Sequence, residues 1–167
     1  MIPADPFVPG LRAHDVLPVP SLESAFDVVV ELGAPEDHGD TSVGHRRVVP
    51  IRGGRILGAV NAEILEGGAD WQILRPDGTF EIDGRYSARS TDGDLLLLHA
   101  RGLRTGAPDI LERLRRGENV HPGSYYFRTT LQVETASPAL SHLQRALFLC
   151  AAERQASTVR YRAYRVT

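Results

Sequence analysis

The sequence contains no lysine and a single cysteine. All 19 basic residues are arginine, which excludes mechanisms that need a lysine amine as a Schiff-base nucleophile or as a base. Cys150 lies in the apolar run from Ala146 to Ala151, and free cysteine in such surroundings packs as a small hydrophobic residue. We therefore expect no disulfide framework and a buried structural thiol.

Long apolar runs and long basic runs are also missing. No stretch approaches the ~20 apolar residues of a membrane-spanning helix, and the N-terminus lacks the pattern of a signal peptide. The net charge is −2, with no cluster of basic residues that would follow a phosphate backbone. We expect a cytoplasmic protein that binds neither nucleic acid nor membrane.

Common enzyme fingerprints are absent as well. The chain has no phosphate-binding GxxxxGK[ST], no GxGxxG, no HExxH, no paired CxxC and no GxSxG. Its 6 histidines are scattered, without an HxH pair. The one place where a metal could bind is the polar loop that carries Asp37, His38, Asp40 and His45, and we favour solvated surface residues as the explanation of that loop. We expect no metal and no cofactor.

The strongest local pattern in the sequence is a series of turn-forming residues. Glycine-containing turns separate runs of β-branched, aromatic and aliphatic residues at Gly53-Gly54, Gly67-Gly68, Pro76-Asp77-Gly78 and Asp92-Gly93. Such residues supply the positive φ of tight hairpins. The runs between them predict strands at 24–32, 46–51, 55–65, 70–74, 79–90, 94–101, 125–134, 145–151 and 158–166. Consecutive hairpins favour a barrel over a sandwich, because closure removes the strand edges.

The fold prediction is therefore an all-β domain. We predict a single antiparallel up-and-down β-barrel of about 8–9 strands over residues 21–167, with one or two short helices and a proline-rich arm at 1–20. One helix is predicted at Pro108–Arg116, either over a barrel mouth or, as we favour, packed on the outer wall. A second is predicted after Ser137, with Leu140, Leu143 and Leu147 on one stripe.

Polar residues follow one face of several predicted strands. Asp83 and Arg85 share a face opposite Phe80, Ile82 and Tyr86, because side chains alternate along a strand. The strand at 125–134 likewise carries a polar face, which consists of Tyr126, Arg128, Thr130, Gln132 and Glu134. If that face points inward, its charges must pair with one another or with a ligand. If it points outward, they form surface ion pairs of little energetic value.

The periodicity does not choose between these orientations, and we favour the inward one. Asp70 or Glu134 among arginines would then stay ionised and serve as a base. Tyr126 or an arginine would polarise a carbonyl group or stabilise an enolate. Trp71, the only tryptophan, would be a core residue, a ligand platform or both.

Several short sequence segments, taken in their order along the chain, are informative. They are Arg47-Val48-Val49-Pro50-Ile51, Gly53-Gly54, Gly67-Gly68-Ala69-Asp70-Trp71, Asp77-Gly78, Arg85-Tyr86, Thr91-Asp92-Gly93, Tyr126-Phe127-Arg128-Thr129 and Glu134. In this order they resemble domain of unknown function 3237 over about residues 26–166. The resemblance implies an antiparallel β-barrel and no established activity. It gives Asp70, Trp71, Arg85, Tyr126, Arg128 and Glu134 as site candidates.

These observations lead to three functional hypotheses. The first is a cofactor-free isomerase, cyclase or lyase for a small aromatic or polyketide-like molecule. Its catalytic candidates are Asp70, Tyr126, Arg128 and Glu134, and its substrate-binding candidates are Trp71, Asp83 and Arg85. The second is a carrier that holds a small apolar ligand in the barrel without chemistry. The third is an interaction module that forms a homodimer or higher homo-oligomer and has a filled interior.

Overall fold

The structure is a computed structural model that describes residues 17–167, so most of the predicted arm at 1–20 lies outside the described residues. Ten strands are present: β1 (Leu22–Leu32), β2 (Glu36–Thr41), β3 (Gly44–Gly58), β4 (Ala62–Ile64), β5 (Ala69–Leu74), β6 (Phe80–Ser90), β7 (Leu95–Thr105), β8 (Tyr126–Thr135), β9 (Phe148–Arg154) and β10 (Thr158–Val166). The helix α1 spans Pro108–Arg115, and two short 3-10 helices lie at Pro122–Ser124 and Ser141–Arg145.

The strands close into a barrel in which neighbours are antiparallel. The order runs β1-β10-β9-β8-β7-β6-β4-β3, and β3 pairs with β1 to complete the ring. β4 and β5 share the position between β3 and β6, whereas β2 forms a hairpin with β3. The result is a closed barrel of eight strands with two additional ones, which confirms the predicted fold class.

The barrel interior is the hydrophobic core. Inward side chains alternate with outward ones along each strand, and the largest fully buried ones include Ile56, Leu96, Leu98, Leu131 and Phe148. At one end, the 3-10 helix at Ser141–Arg145 places Leu143 in this core, and Gln144 donates a hydrogen bond to the carbonyl of Thr135 at the end of β8. This end is therefore filled with apolar side chains.

Helix α1 covers the opposite end of the barrel. Its Leu111 packs beside Gly78 in the turn between β5 and β6, and Gly117 beyond the helix lies beside Ala156 in the turn between β9 and β10. Leu114 is buried in the core. The favoured position on the outer wall is therefore wrong, and the helix segment spans the barrel mouth. No helix in the part described is long and apolar enough to cross a membrane.

Three local predictions were wrong for physical reasons. Gly53-Gly54 is no hairpin turn, because Gly54 lies within β3 at φ 134° and a Cβ there would stand 2.0 Å from the Val29 carbonyl oxygen. The polar loop predicted around Asp37, His38 and Asp40 is not irregular, because these residues belong to the strand β2. The second helix is only a 3-10 turn, since the Ser137 hydroxyl donates to Asp94 instead of capping a helix, and Leu147 is exposed.

Two inward-facing glycines should respond oppositely to alanine substitution. At Gly102 a Cβ would lie 2.0 Å from the carbonyl oxygen of Arg128, so β7 and β8 would have to separate. At Gly84 a Cβ would meet nothing closer than 3.9 Å. We expect Gly102→Ala to lower the free energy of unfolding by roughly 1–3 kcal/mol and Gly84→Ala to leave it unchanged or raise it. Urea unfolding of both variants measures this, and equal losses would contradict it.

Candidate functional site

Strand β5 reverses the usual placement of polar and apolar side chains. Asp70 pairs with Val49 of β3, which is buried in the barrel, and Gln72 pairs with Arg47. Residues paired across antiparallel strands point to the same face. Asp70 and Gln72 therefore point inward, whereas Trp71 between them is 39% exposed on the outer wall.

The Asp70 carboxyl is held by two hydrogen bonds. The Gln72 side-chain amide donates to Oδ2 at 2.7 Å, and the backbone N–H of Asp83 donates to Oδ1 at 3.0 Å. Burial raises the pKa of Asp70 above its ordinary value, although these bonds and the charge of Arg104 act in the opposite direction. A raised pKa makes the ionised carboxylate a stronger base than an ordinary aspartate.

A cavity of about 50 Å³ lies beside this carboxyl. Its polar lining consists of Asp70, Thr129 and two tyrosines, and most of the remaining wall is aliphatic or aromatic. Gly84 pairs with Asp70 across β5 and β6 and contributes no side chain, so space remains at this point. The cavity has room for several water molecules or for part of a small ligand.

The two tyrosines, Tyr86 and Tyr161, are buried and hydrogen-bonded to each other through their hydroxyl groups. Burial raises the pKa of both hydroxyls, so both remain protonated at neutral pH. One hydroxyl donates to the other and thereby uses only one of the two protons. The second proton is available to a molecule in the cavity that both side chains line.

Arg104 lies toward the end of the barrel that α1 covers, and its neighbour Phe127 also lines this cavity. It pairs with Phe80 on one side and Phe127 on the other, and its guanidinium carbon is 4.4 Å and 5.7 Å from the two ring centroids. The residue is 7% exposed, and its Nε is buried with no hydrogen-bond partner among residues 17–167. No salt bridge involving Arg104 occurs within the same range. A buried charge without such a partner is costly, so its presence needs an explanation.

Two more arginines add positive charge around Arg104. Arg47 lies 5.5 Å from the Phe80 ring centroid, and the Arg154 guanidinium donates to the backbone carbonyls of Gln155 and Thr158. Burial lowers the pKa of Arg104 to about 10, with a contribution from both neighbouring charges. Arg104 therefore remains protonated at neutral pH.

The polar face of β8 points outward, so the favoured inward orientation was wrong. Tyr126, Arg128 and Glu134 are exposed, while the alternate residues of this strand are buried. Arg128 lies over the Tyr126 ring at 5.5 Å on the outer wall. The physical reason is that the more apolar set on β8 is the one that fills the core. These three candidates are not brought together with Asp70.

Three other candidates also lie on the outer wall. Asp83 accepts a hydrogen bond from Arg85 at 3.4 Å and lies 2.7 Å from Nε2 of His99. Both charged side chains are substantially exposed, and pairs of this kind contribute little to stability. Trp71 is likewise outside the barrel. Of the residues predicted from sequence, Asp70 alone lines the internal cavity, and Asp83 contributes its backbone N–H.

A larger concavity, of about 600 Å³, lies on the outside of the barrel. Two of its arginines are paired, Arg162 with Asp27 at 2.7 Å and Arg160 with Glu153 at 3.1 Å, whereas Arg55 and Arg128 form no salt bridge within residues 17–167. In the hairpin of β2 and β3, His45 contacts Asp37 and Asp40. Neither these residues nor any other group of three or more His, Cys, Asp or Glu within residues 17–167 is arranged so that it could hold a metal ion.

Sequence reasoning missed Arg104 and undervalued Tyr86. The sequence did contain a signal for Arg104. It lies an even number of residues after the inward-facing Leu96, Leu98 and Ala100, so it also faces inward once β7 is extended to include it. The predicted strand ended at Arg101, so Arg104 was not recognised as part of it. Tyr161 carried a comparable signal, because Val159, Tyr161 and Ala163 alternate with Arg160 and Arg162 along β10.

The fold and site define a small closed antiparallel β-barrel with a polar patch inside an apolar interior. The chain belongs to the family described as Protein of unknown function (DUF3237), which matches residues 20–166. The predicted resemblance is thereby confirmed.

Relatives with recorded sequences and structures agree with this assignment. A UPF0311 protein of Bradyrhizobium diazoefficiens is 34% identical over 142 residues, which are 84% of this chain and 93% of the relative. A conserved protein of unknown function from Rhodopseudomonas palustris has a similar crystal structure, with a TM-score of 0.86, 32% identity and coverage of 91% and 100% of the two chains. An enzyme from Penicillium herquei shares the fold, with a TM-score of 0.67 and 16% identity. The match covers 91% of this chain and 98% of that enzyme.

Proposed function

We propose that this protein is a cofactor-independent acid/base enzyme, of the isomerase, cyclase or lyase type, that acts on a small aromatic or polyketide-like molecule. The observation that carries the proposal is an inward-facing Asp70 carboxyl that lines the same cavity as the hydroxyl pair of Tyr86 and Tyr161. The distant likeness to a Penicillium herquei enzyme is compatible with it.

Each group has a role in the proposed reaction. Asp70, as carboxylate, accepts a proton from a carbon or hydroxyl of the bound molecule. The free proton of the tyrosine pair donates a hydrogen bond to the oxygen on which negative charge develops. Return of the proton to another atom of the molecule gives an isomerisation. Attack of the deprotonated atom on a second group of the same molecule closes a ring. Expulsion of a leaving group gives a lyase reaction. Each outcome is balanced without an oxidant or reductant.

The test is proton exchange with deuterated water, which needs no knowledge of the natural substrate. The protein is incubated with cyclohexanone, with resorcinol and with any molecule that native mass spectrometry finds bound after purification. Proton NMR then follows the loss of exchangeable C–H signals. Exchange faster than in buffer supports the proposal. Saturable binding without faster exchange would instead favour a carrier of small ligands.

A substitution inside the cavity supplies a steric control. Gly84→Val places a side chain beside Asp70 without a backbone clash, because the first added atom meets only ordinary contacts. We expect the exchange rate to fall by about 100-fold, since a misplaced substrate loses most of its reactivity. Ser87→Val on the outer face of the same strand should leave the rate unchanged. An undiminished rate in Gly84→Val would place the reaction elsewhere.

A further inference from the structure

The Arg104 guanidinium is a charge that the described part of the fold leaves uncompensated. Phe80 and Phe127 sandwich it, and their rings cannot accept a hydrogen bond from Nε in the way an oxygen does. In the described range, Asp70 is the one carboxyl whose charge raises the pKa of Arg104, yet no salt bridge joins the two groups. Phe127 contacts Arg104 and also lines the cavity, so the positive charge lies at the edge of the cavity, where it is electrostatically suited to an anion.

The geometry of the arginine narrows the chemistry of that anion. A guanidinium presents its donors in a planar fork that matches the two oxygens of a carboxylate. The flanking phenyl rings and the aliphatic cavity wall suit a flat, apolar body behind the charge. Arg47 and Arg154 strengthen the positive potential at the same mouth, which attracts anions and disfavours cations.

We propose that Arg104 binds the carboxylate of a small planar organic acid, whose apolar body extends into the cavity beside Asp70. This inference rests on the proposed function, because it names the substrate class of the same site. It also accounts for the buried arginine, since a bound carboxylate supplies the partner that the described residues do not provide. Because Asp70 and the ligand carboxylate are like charges, the ligand carboxylate is expected to lie on Arg104 and away from Asp70, which leaves Asp70 to act on the body of the ligand.

Benzoate and benzamide are matched probes for this proposal, because they share a ring and differ in charge. Isothermal titration calorimetry is done with the wild-type protein, Arg104→Met and Arg101→Met. Arg101 lies on the outer face of the same strand and is the matched control. We expect wild type and Arg101→Met to bind benzoate roughly 10- to 100-fold more tightly than benzamide, and Arg104→Met to lose this preference.

Three results would overturn the proposal. They are undetectable binding of benzoate to wild type at millimolar concentration, equal affinity for the two probes, and unchanged benzoate affinity in Arg104→Met. Urea unfolding of each variant establishes that it is folded, and Arg104→Leu provides a second apolar replacement if Arg104→Met does not fold.

A further variant separates failure of this proposal from failure of the proposed function. Asp70→Asn should bind benzoate at least as tightly as wild type, because a competing negative charge is removed, while exchange of deuterium is lost. Benzoate binding without any Asp70-dependent exchange would reject the enzyme and keep the anion site. Asp70-dependent exchange on neutral ketones, with no preference for benzoate, would reject the anion site and keep the enzyme.

Discussion

Replacing Asp70 with asparagine is expected to slow deuterium exchange by about 10²–10⁴-fold, the range that a positioned acid or base contributes. Asparagine has nearly the same shape and can keep the hydrogen bond from the backbone N–H of Asp83, but it cannot take up a proton. The measurement is the exchange rate by proton NMR at several pH values, because loss of the base also removes the rise in rate that accompanies its ionisation.

The same variant has a second expected signature in protein stability. Burial raises the pKa of Asp70 in the folded state above its ordinary value. The folded protein therefore binds a proton over a pH window in which the unfolded chain has released it. Stability must fall as pH rises through that window, from the ordinary pKa up to the raised one. Asp70→Asn should lose this fall and be more stable than wild type at higher pH.

Substitutions of two residues on the outer wall serve as controls for Asp70→Asn. Arg128→Gln and Glu134→Gln change exposed side chains of β8 that lie away from the cavity. Their exchange rates should match wild type, and their stability should change by no more than about 0.5 kcal/mol. A rate in Asp70→Asn equal to theirs would mean that Asp70 is a structural residue and would reject the proposed reaction.

The barrel could be predicted from sequence because its hairpins are local. Turns such as Pro76-Asp77-Gly78 and Asp92-Gly93 occur where the sequence places them, with Gly78 and Gly93 at positive φ. The Gly53-Gly54 pair resembles these turns in sequence, but it lies within a strand. Gly54 lets the carbonyl of Val29 approach from another strand, and a requirement set by such a distant residue is not visible in the local pattern.

The site was harder to predict because it breaks the rule that makes the fold predictable. On β8 the more apolar set faces inward, as hydrophobic burial requires, and this rule alone would have placed Arg128 outside. On β5 the rule fails, since Asp70 and Gln72 face inward while Trp71 faces out. Only the register with β3 reveals that reversal. Local conflicts of this kind are expected at functional sites, where stability is given up for chemistry.

Arg104→Met is expected to raise the free energy of unfolding by roughly 1–4 kcal/mol, as replacements of buried charges by apolar side chains often do. Removing the guanidinium ends the cost of largely burying a charge that has no carboxylate partner among residues 17–167. The loss of its interactions with Phe80 and Phe127, about 0.5–2 kcal/mol each, offsets part of that gain. Methionine is unbranched and its sulfur packs well against aromatic rings. Urea unfolding measures the change, and Arg101→Met should shift it by less than about 0.5 kcal/mol.

The sign of this change reports on the purpose of the arginine. If Arg104 were a structural residue, its removal would leave partners unsatisfied and destabilise the barrel, and that result would contradict our interpretation. If it is held ready for an anion, the unliganded protein gains stability from its removal and the liganded protein does not. Saturating benzoate should therefore stabilise wild type but not Arg104→Met, so that the gap between the two proteins narrows as benzoate is added.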